Sequence, residues 1–314
     1  MSTAIHVIIN ASAGCGYCAP WSAALFDKLK ALDFEPTITL AEGGAELTAA
    51  AAKARKLGVG IVAAGGGDGT INAVASQLLG SRSVLGVLPL GTLNHFAKDL
   101  GIPLELDRAI ANLAQGRPVQ VDVGEVNQRI FLNNSSLGLY PDIVRDREKQ
   151  QRRLGRGKWL ACGWATLAAL RRYPLLSVRL MVDGKRHARR TPFVFIGNNE
   201  YVMQGFDIGA RRRLDGGALS LYVAQRPGRL GLLRLALHAL FGRLAQAADF
   251  DVLLAPDIEV VTRHKRLHVA TDGEVTIMAT PLRYRIRAGA LAVMVPNPVP
   301  NPVPAPVSTP APAA

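Results

Sequence analysis

Strand-like and helical segments alternate along the first 90 residues, and this alternation limits the possible folds more than any other feature. Short runs of branched apolar residues, such as Ile5 to Ile9 and Val59 to Ala64, are each followed by a helical pattern. A helix between successive strands is typical of a parallel sheet that helices cover on both faces. We therefore predict an α/β domain in the first part of the chain.

The pattern changes after Asp122. Strand-like runs separated by turn residues follow, among them Leu176 to Val182 and Asp257 to Thr262, and they favour an antiparallel, β-rich domain. We place the first domain at residues 1–122 and the β-rich domain at 123–282. Residues 296–314 are rich in proline and are expected to form a disordered tail.

The composition narrows the functional classes. With 314 residues and 49% hydrophobic content, the chain can bury a sizeable core, which excludes a disordered or fibrous protein. The net charge of +13 indicates anionic partners. Three cysteines are too few to staple a secreted fold, and neither a signal peptide nor a membrane span is recognisable, so a cytoplasmic location is expected.

The segment Gly65-Gly66-Gly67-Asp68-Gly69-Thr70-Ile71-Asn72 lies between a predicted strand and a helix predicted to begin at Thr70. Glycines allow backbone N–H groups to approach phosphate oxygens, and a helix N-terminus favours negative charge. The lysine of a Walker A loop is missing, and Asn72 replaces the third glycine of a dinucleotide fingerprint. Asp68 would repel a phosphate unless a cation lay between them, so we infer Mg²⁺. A plain glycine turn is the alternative.

Two further loops of small residues follow predicted strands. They are Leu88-Pro89-Leu90-Gly91-Thr92-Leu93-Asn94 and Asn10-Ala11-Ser12-Ala13-Gly14. Because open α/β sheets bind ligands at the carboxyl edge of their strands, three such loops predict a nucleotide pocket.

These motifs, in this order, resemble the bacterial soluble diacylglycerol kinases, which are related to sphingosine and ceramide kinases. Three later motifs complete the resemblance: Asn133 to Gly138, Leu214 to Leu219 and Asp272-Gly273-Glu274. The resemblance covers the chain from Ile5 to about Val295. It implies a nucleotide-binding domain like those of NAD kinases and phosphofructokinases, a β-sandwich domain, and an active site between the two. It also implies that residues 283–295, with the last strand near Leu291 to Val295, return to complete the first domain.

The resemblance also implies ligands and their residues. The cofactors are ATP and Mg²⁺, and the expected ATP contacts are Asn10, Ala11, Ser12, Ala13, Gly14, Thr39, Gly66, Gly67, Asp68, Gly69, Thr70, Ile71, Asn72 and Thr92. A structural Mg²⁺ in the second domain would be held by Asp215 and by backbone oxygens of Arg212 and Gly217. Asp122 would join Asp68 in an acidic, water-linked network, from which His95 removes one carboxylate that many relatives have.

The implied reaction is phosphoryl transfer from ATP to a hydroxyl of diacylglycerol or a related lipid. Asp272 and Glu274 are two residues apart, so on an extended segment both carboxylates point to one face. By resemblance one of the two is the base for the lipid hydroxyl, and Asp68 is the third catalytic candidate. The local pattern also fits an ordinary hairpin turn between Ala270 and Val275.

The partner side is open to several interpretations. A basic segment from Arg145 to Lys158, an apolar one from Trp159 to Leu170 and a further one from Leu230 to Leu244 suit contact with anionic lipids at the inner membrane face, or are solvated helix faces. No nucleic-acid motif accompanies the basic charge, and a homodimer is left open.

Cys15 and Cys18 have the spacing of a redox pair, which nothing else supports. The alternatives are an NAD kinase-like enzyme or a non-catalytic protein that binds anionic lipid or nucleotide.

Overall fold

The structure is a computed structural model of the chain, and it describes residues 2–12, 19–138, 176–182, 184–204, 207–211, 213–224 and 250–297. Several predicted features lie outside these residues: Ala13, Gly14, the Cys15 and Cys18 pair, Arg212, the segments at 145–158, 159–170 and 230–244, and the tail beyond 297.

The first domain is a parallel sheet with helices packed on it, as the alternation of strands and helices predicts. Its four strands are β1 (Thr3–Asn10), β2 (Phe34–Ala41), β3 (Ile61–Gly66) and β4 (Val84–Pro89), arranged in the order β2-β1-β3-β4. The helices are α1 (Ala19–Lys30), α2 (Gly44–Lys56), α3 (Asp68–Leu78), α4 (His95–Asp99) and α5 (Leu106–Gln115). Ile8 packs into one apolar cluster and its neighbours Val7 and Ile9 into another, so both faces of the sheet are buried.

The second domain consists of antiparallel strands. They are β5 (Arg117–Val126), β6 (Arg129–Phe131), β7 (Asn134–Gly138), β8 (Leu176–Val182), β9 (Lys185–Thr191), β10 (Phe193–Asn198), β11 (Tyr201–Gln204), β12 (Asp207–Arg211), β13 (Leu219–Ala224), β14 (Phe250–Ala255), β15 (Asp257–Thr262), β16 (Arg266–Thr271), β17 (Glu274–Ala279) and β18 (Leu282–Val295). Among the described strands, one sheet has the order β14-β13-β10-β7-β16-β17. Its Leu137 and Val194 share an apolar cluster with Leu180 and Val260 of the strands β8 and β15, which makes a sandwich.

Strand β18 belongs to both domains. It pairs with β15 in the sandwich, and further along it pairs in parallel with β4, where Val293 lies opposite Leu85. Strand β5 runs antiparallel to β18 along most of its length. The two domains are therefore joined by a shared sheet, which brings the hairpin β16–β17 against α3 of the first domain.

None of the helices in the described part of the chain combines the length and the apolar character that crossing a membrane requires.

Candidate functional site

Three loops of the first domain meet at the carboxyl edge of its sheet. The amide of Asn10, at the end of β1, donates a hydrogen bond of 3.1 Å to the hydroxyl of Thr70 after β3. The loops after β3 and β4 touch through their glycines, because a Cβ atom placed on Gly91 would lie 2.4 Å from the Cα of Gly67. The three loops therefore lie together at one edge of the sheet.

The glycine loop runs directly into the N-terminus of α3. Gly67 is the N-cap in an extended conformation, and it has no side chain with which to cap the helix. The first amides of α3 are thus available to a ligand with acceptor atoms, and the helix dipole favours a negative one. The backbone is closely packed here, since a Cβ on Gly66 would lie 2.4 Å from the hydroxyl of Thr70.

Asp68, the first residue of α3, connects this loop to the next one. Its two carboxylate oxygens accept hydrogen bonds from the backbone amides of His95 (3.2 Å) and Phe96 (3.0 Å), which open the short helix α4. The imidazole of His95 is exposed. Asp68 is half-buried, so part of its side chain stays accessible while its oxygens hold the first residues of α4.

Asp272 forms the turn of the β16–β17 hairpin and is held by four donors. One oxygen accepts from the backbone amides of Asn133 (2.8 Å) and Asn134 (3.0 Å), and the other from the amide of Leu132 (2.7 Å) and the side chain of Asn72 (2.6 Å) on α3. Burial raises the pKa of the Asp272 carboxyl, and the four hydrogen bonds act in the opposite direction. The carboxylate is committed to joining the hairpin to α3.

Glu274 lies on the other side of the same turn and reaches the glycine loop. Its Oε1 atom lies 3.2 Å from the position of a Cβ on Gly69, in the first turn of α3. Its Oε2 atom accepts a hydrogen bond of 2.7 Å from Arg129. The carboxylate is exposed, so one of its oxygens is open to a ligand beside the glycine loop.

The expectation that Asp272 and Glu274 share one extended segment is wrong. Asp272 and Gly273 both have positive φ angles, of 48° and 85°, and Glu274 begins the returning strand. A left-handed pair of residues reverses the chain, so the two carboxylates point to different partners. The hairpin interpretation is therefore correct, and both residues still lie beside α3.

The predicted structural Mg²⁺ site stays a prediction, because Arg212, one of its residues, lies outside the described residues. Asp122 is buried and accepts hydrogen bonds from the amides of Gly217 (2.7 Å) and Gly289 (2.8 Å). Asp215 is exposed and paired with Arg213 at 2.8 Å, which lowers the pKa of the Asp215 carboxyl. In the described part of the chain, no three histidine, cysteine, aspartate or glutamate side chains gather as a metal site.

The other predicted nucleotide contacts differ in exposure. Ser12 and Thr92 are exposed. Thr39 is half-buried, and its hydroxyl lies within hydrogen-bond distance, 2.8 Å, of Nε2 of His6. Ile71 is fully buried in the core of the first domain and has no surface for a ligand in this conformation. Asn72 faces Asp272.

Two arginines belong to this region that motif reasoning missed. Arg129 binds Glu274, and the buried Arg211 pairs with Asp99 at the end of α4 at 2.7 Å. Arg211 also donates to the side chain of Asn133 at 2.8 Å, next to the amides that hold Asp272. Neither arginine belongs to one of the motifs quoted above, although Arg211 lies three positions before Leu214, so motif matching did not select them.

Comparison with known proteins agrees with this geometry. Residues 4–126 match the model for the diacylglycerol kinase catalytic domain, and residues 142–295 match the model for the YegS C-terminal NAD kinase beta sandwich-like domain. A protein of Chromohalobacter salexigens named "Probable lipid kinase YegS-like" is 29% identical over 79% of this chain and 79% of its own length. One from Escherichia fergusonii named "Probable lipid kinase YegS" is 44% identical over 27% of this chain, a match that spans 30% of that relative's length.

A solved structure shows the same fold. The crystal structure of a diacylglycerol kinase from Bacillus anthracis str. Sterne matches with a TM-score of 0.68 and 21% identity, over 94% of this chain and 97% of the other. The predicted fold class, an α/β domain followed by a β-sandwich, is confirmed. The two matching models cover most of the described chain in the expected order, and we conclude that it belongs to the lipid kinase family defined by a diacylglycerol kinase catalytic domain and a YegS C-terminal domain.

Proposed function

We propose that the chain transfers the γ-phosphate of ATP to a hydroxyl of diacylglycerol or a related lipid. One observation carries this proposal: the carboxylate of Glu274 lies beside Gly69, where the first turn of α3 offers backbone amides to phosphate. A base and an anion cradle at one point are what phosphoryl transfer to an alcohol requires.

Glu274 is the base in this proposal. Its Oε1 atom takes the proton of the lipid hydroxyl as the hydroxyl oxygen attacks the γ-phosphorus. The bond between that phosphorus and the β,γ-bridging oxygen breaks, and ADP leaves. Asp272 is less suited to this task, because its two oxygens already accept four hydrogen bonds and keep no position for a substrate hydroxyl. We assign to Asp272 the joining of the hairpin to α3.

Asp68 is the carboxylate that best suits a nucleotide-bound Mg²⁺. It begins α3 inside the phosphate cradle, and both of its known partners are backbone amides. Carboxylate and phosphate oxygens are ligands that Mg²⁺ prefers, and the ion supplies neutralisation of phosphate charge when bound.

The proposed partners are the lipid acceptor and the anionic lipids of the membrane that contains it, at the inner, cytoplasmic face. The net charge of +13 supports attraction to such a surface.

The test uses γ-labelled ATP, Mg²⁺ and mixed vesicles of extracted lipids, with phosphorylated products identified by mass spectrometry. We expect Glu274→Gln to lower turnover by about 100-fold or more while the unfolding midpoint stays that of the unmodified chain. Asp272→Asn is the comparison variant, and it should lower the unfolding midpoint as well, because an amide group would face donors.

Full turnover by Glu274→Gln would show that Glu274 is not the base. Phosphorylation of NAD with no lipid product would identify an NAD kinase instead, and binding of nucleotide without any transfer would identify a binding protein.

A further inference from the structure

The segment that follows β5 holds the β16–β17 hairpin from both sides of its turn. Its residues Leu132 and Asn133 donate their amides to Asp272, at 2.7 and 2.8 Å. Its first strand residue, Arg129, lies three positions earlier and contacts the flanks of the same turn. We name residues 129–133 the clamp segment.

Arg129 spans the turn with two edges of its guanidinium group. The Nε atom donates to the hydroxyl of Thr271 at 3.0 Å, immediately before the turn, and an Nη atom donates to Oε2 of Glu274 at 2.7 Å, immediately after it. Thr271 is buried and lies at the end of β16, so it is a fixed anchor. A planar guanidinium tied to a fixed point on one edge holds its partner on the other edge in a defined direction.

The ion pair gives the two carboxylate oxygens of Glu274 different surroundings. Oε2 is taken by Arg129, while Oε1 lies against Gly69 and has no hydrogen-bond partner among the described residues. Without an anchor, an exposed glutamate samples many rotamers, and ordering it at the moment of reaction is costly. A reacting group displaced by about 1 Å can lose about 100-fold in rate.

We propose that Arg129 is a positioning residue for the base: it holds Oε2 of Glu274 so that Oε1 faces the phosphate loop and the incoming hydroxyl. This inference rests on the proposed function, since it assigns Arg129 a role through Glu274. The proposed role requires no contact between Arg129 and the nucleotide. The role is therefore separable from that of a phosphate-binding arginine.

The experiment compares steady-state transfer by the full chain carrying Arg129→Met, Arg129→Lys or no substitution, with the vesicles and ATP described above. Arg129→Met should lower kcat by about 30- to 100-fold and leave the KM for ATP within about twofold. Arg129→Lys keeps a cation that reaches Glu274 and should recover at least about fivefold over Arg129→Met. Arg283→Met, which removes an exposed pair with Glu259 elsewhere, is the matched control and should leave kcat unchanged.

A double variant separates the two possible roles of Arg129. In the Glu274→Gln background, where the base is already absent, Arg129→Met should change the residual rate by less than about twofold. Calorimetric titration of a non-hydrolysable ATP analogue should give the same affinity for Arg129→Met and the unmodified chain. Unchanged kcat in Arg129→Met, a loss of kcat that persists in the double variant, or an analogue affinity about tenfold weaker would each overturn the positioning role. An unmodified chain that phosphorylates no lipid would instead overturn the proposed function, and the inference with it.

Discussion

The phosphate cradle and the hairpin that faces it are built by opposite means. The cradle consists of backbone, and its loops touch through Gly67 and Gly91 with no room for another atom. The hairpin presents charged side chains that are held by donors: four donors hold Asp272, and Arg129 holds Glu274. The cradle is therefore sensitive to atoms that are added, whereas the hairpin is sensitive to donors that are removed.

This difference suits the role that we propose for each side. Phosphate oxygens are recognised by backbone amides that approach closely, and glycine permits that approach. A carboxylate that takes a proton has to be aimed, and aiming requires fixed partners. In this chain those partners come from distant parts of the sequence, since Arg129 and Glu274 are 145 positions apart.

The largest effect is expected from Arg211, the buried cation behind the hairpin. Arg211→Met would leave Asp99 buried without its cation and would remove the donor to Asn133 at 2.8 Å. Breaking a buried ion pair on one side costs about 3–5 kcal/mol, and urea unfolding would measure this loss. Arg283→Met, which breaks an exposed pair, should leave the midpoint essentially unchanged. Equal behaviour of the two variants would show that buried charge does not hold the second domain in place.

A smaller effect is expected from adding one carbon atom to the cradle. In Gly91→Ala the new Cβ would lie 2.4 Å from the Cα of Gly67 and 2.8 Å from the side-chain oxygen of Asn94, so the backbone must move. Overpacking of this kind costs about 1–3 kcal/mol, and we expect the affinity for an ATP analogue to fall by about tenfold or more.

Gly44→Ala is the control for that variant. Gly44 begins α2, and a Cβ there meets no atom within 4 Å, so stability should stay the same or rise slightly. Calorimetric titration of both variants with the analogue gives the comparison. An unchanged affinity in Gly91→Ala would mean that the contact between the two loops does not shape the nucleotide site.

The sequence predicted two strands to the residue. The predicted strands Leu176 to Val182 and Asp257 to Thr262 coincide with β8 and β15, because alternating apolar residues mark a half-buried strand. The helix after the glycine loop begins at Asp68 rather than at Thr70. Helix propensity gave no reason to include Asp68, whose carboxylate bonds to the amides of α4 instead of capping its own helix.

The side-chain partners could not be predicted in the same way. Asp99 and Arg211 are 112 positions apart, and a single sequence contains no signal that pairs two charges at such a distance. Asp272 was a candidate base because of its spacing from Glu274, whereas its four hydrogen bonds depend on the path of residues 132–134. Local motifs therefore predicted which residue types matter, and the contacts between distant segments determine their roles.

The smallest effect is expected from a titratable group of the first domain. His6 is buried in β1 and lies 2.8 Å from the hydroxyl of Thr39; burial, and then the charge of Lys53, lower the pKa of His6 below its ordinary value of 6.5. Below that value the unfolded chain binds the proton more readily than the folded one, so stability is lost as the pH falls. The variant His6→Gln, which keeps a polar group near Thr39, should lose less unfolding free energy than the unmodified chain between pH ~7.5 and pH ~5.5. Urea unfolding at the two pH values measures the difference, and equal losses would show that His6 does not make the backbone side of the site sensitive to acid.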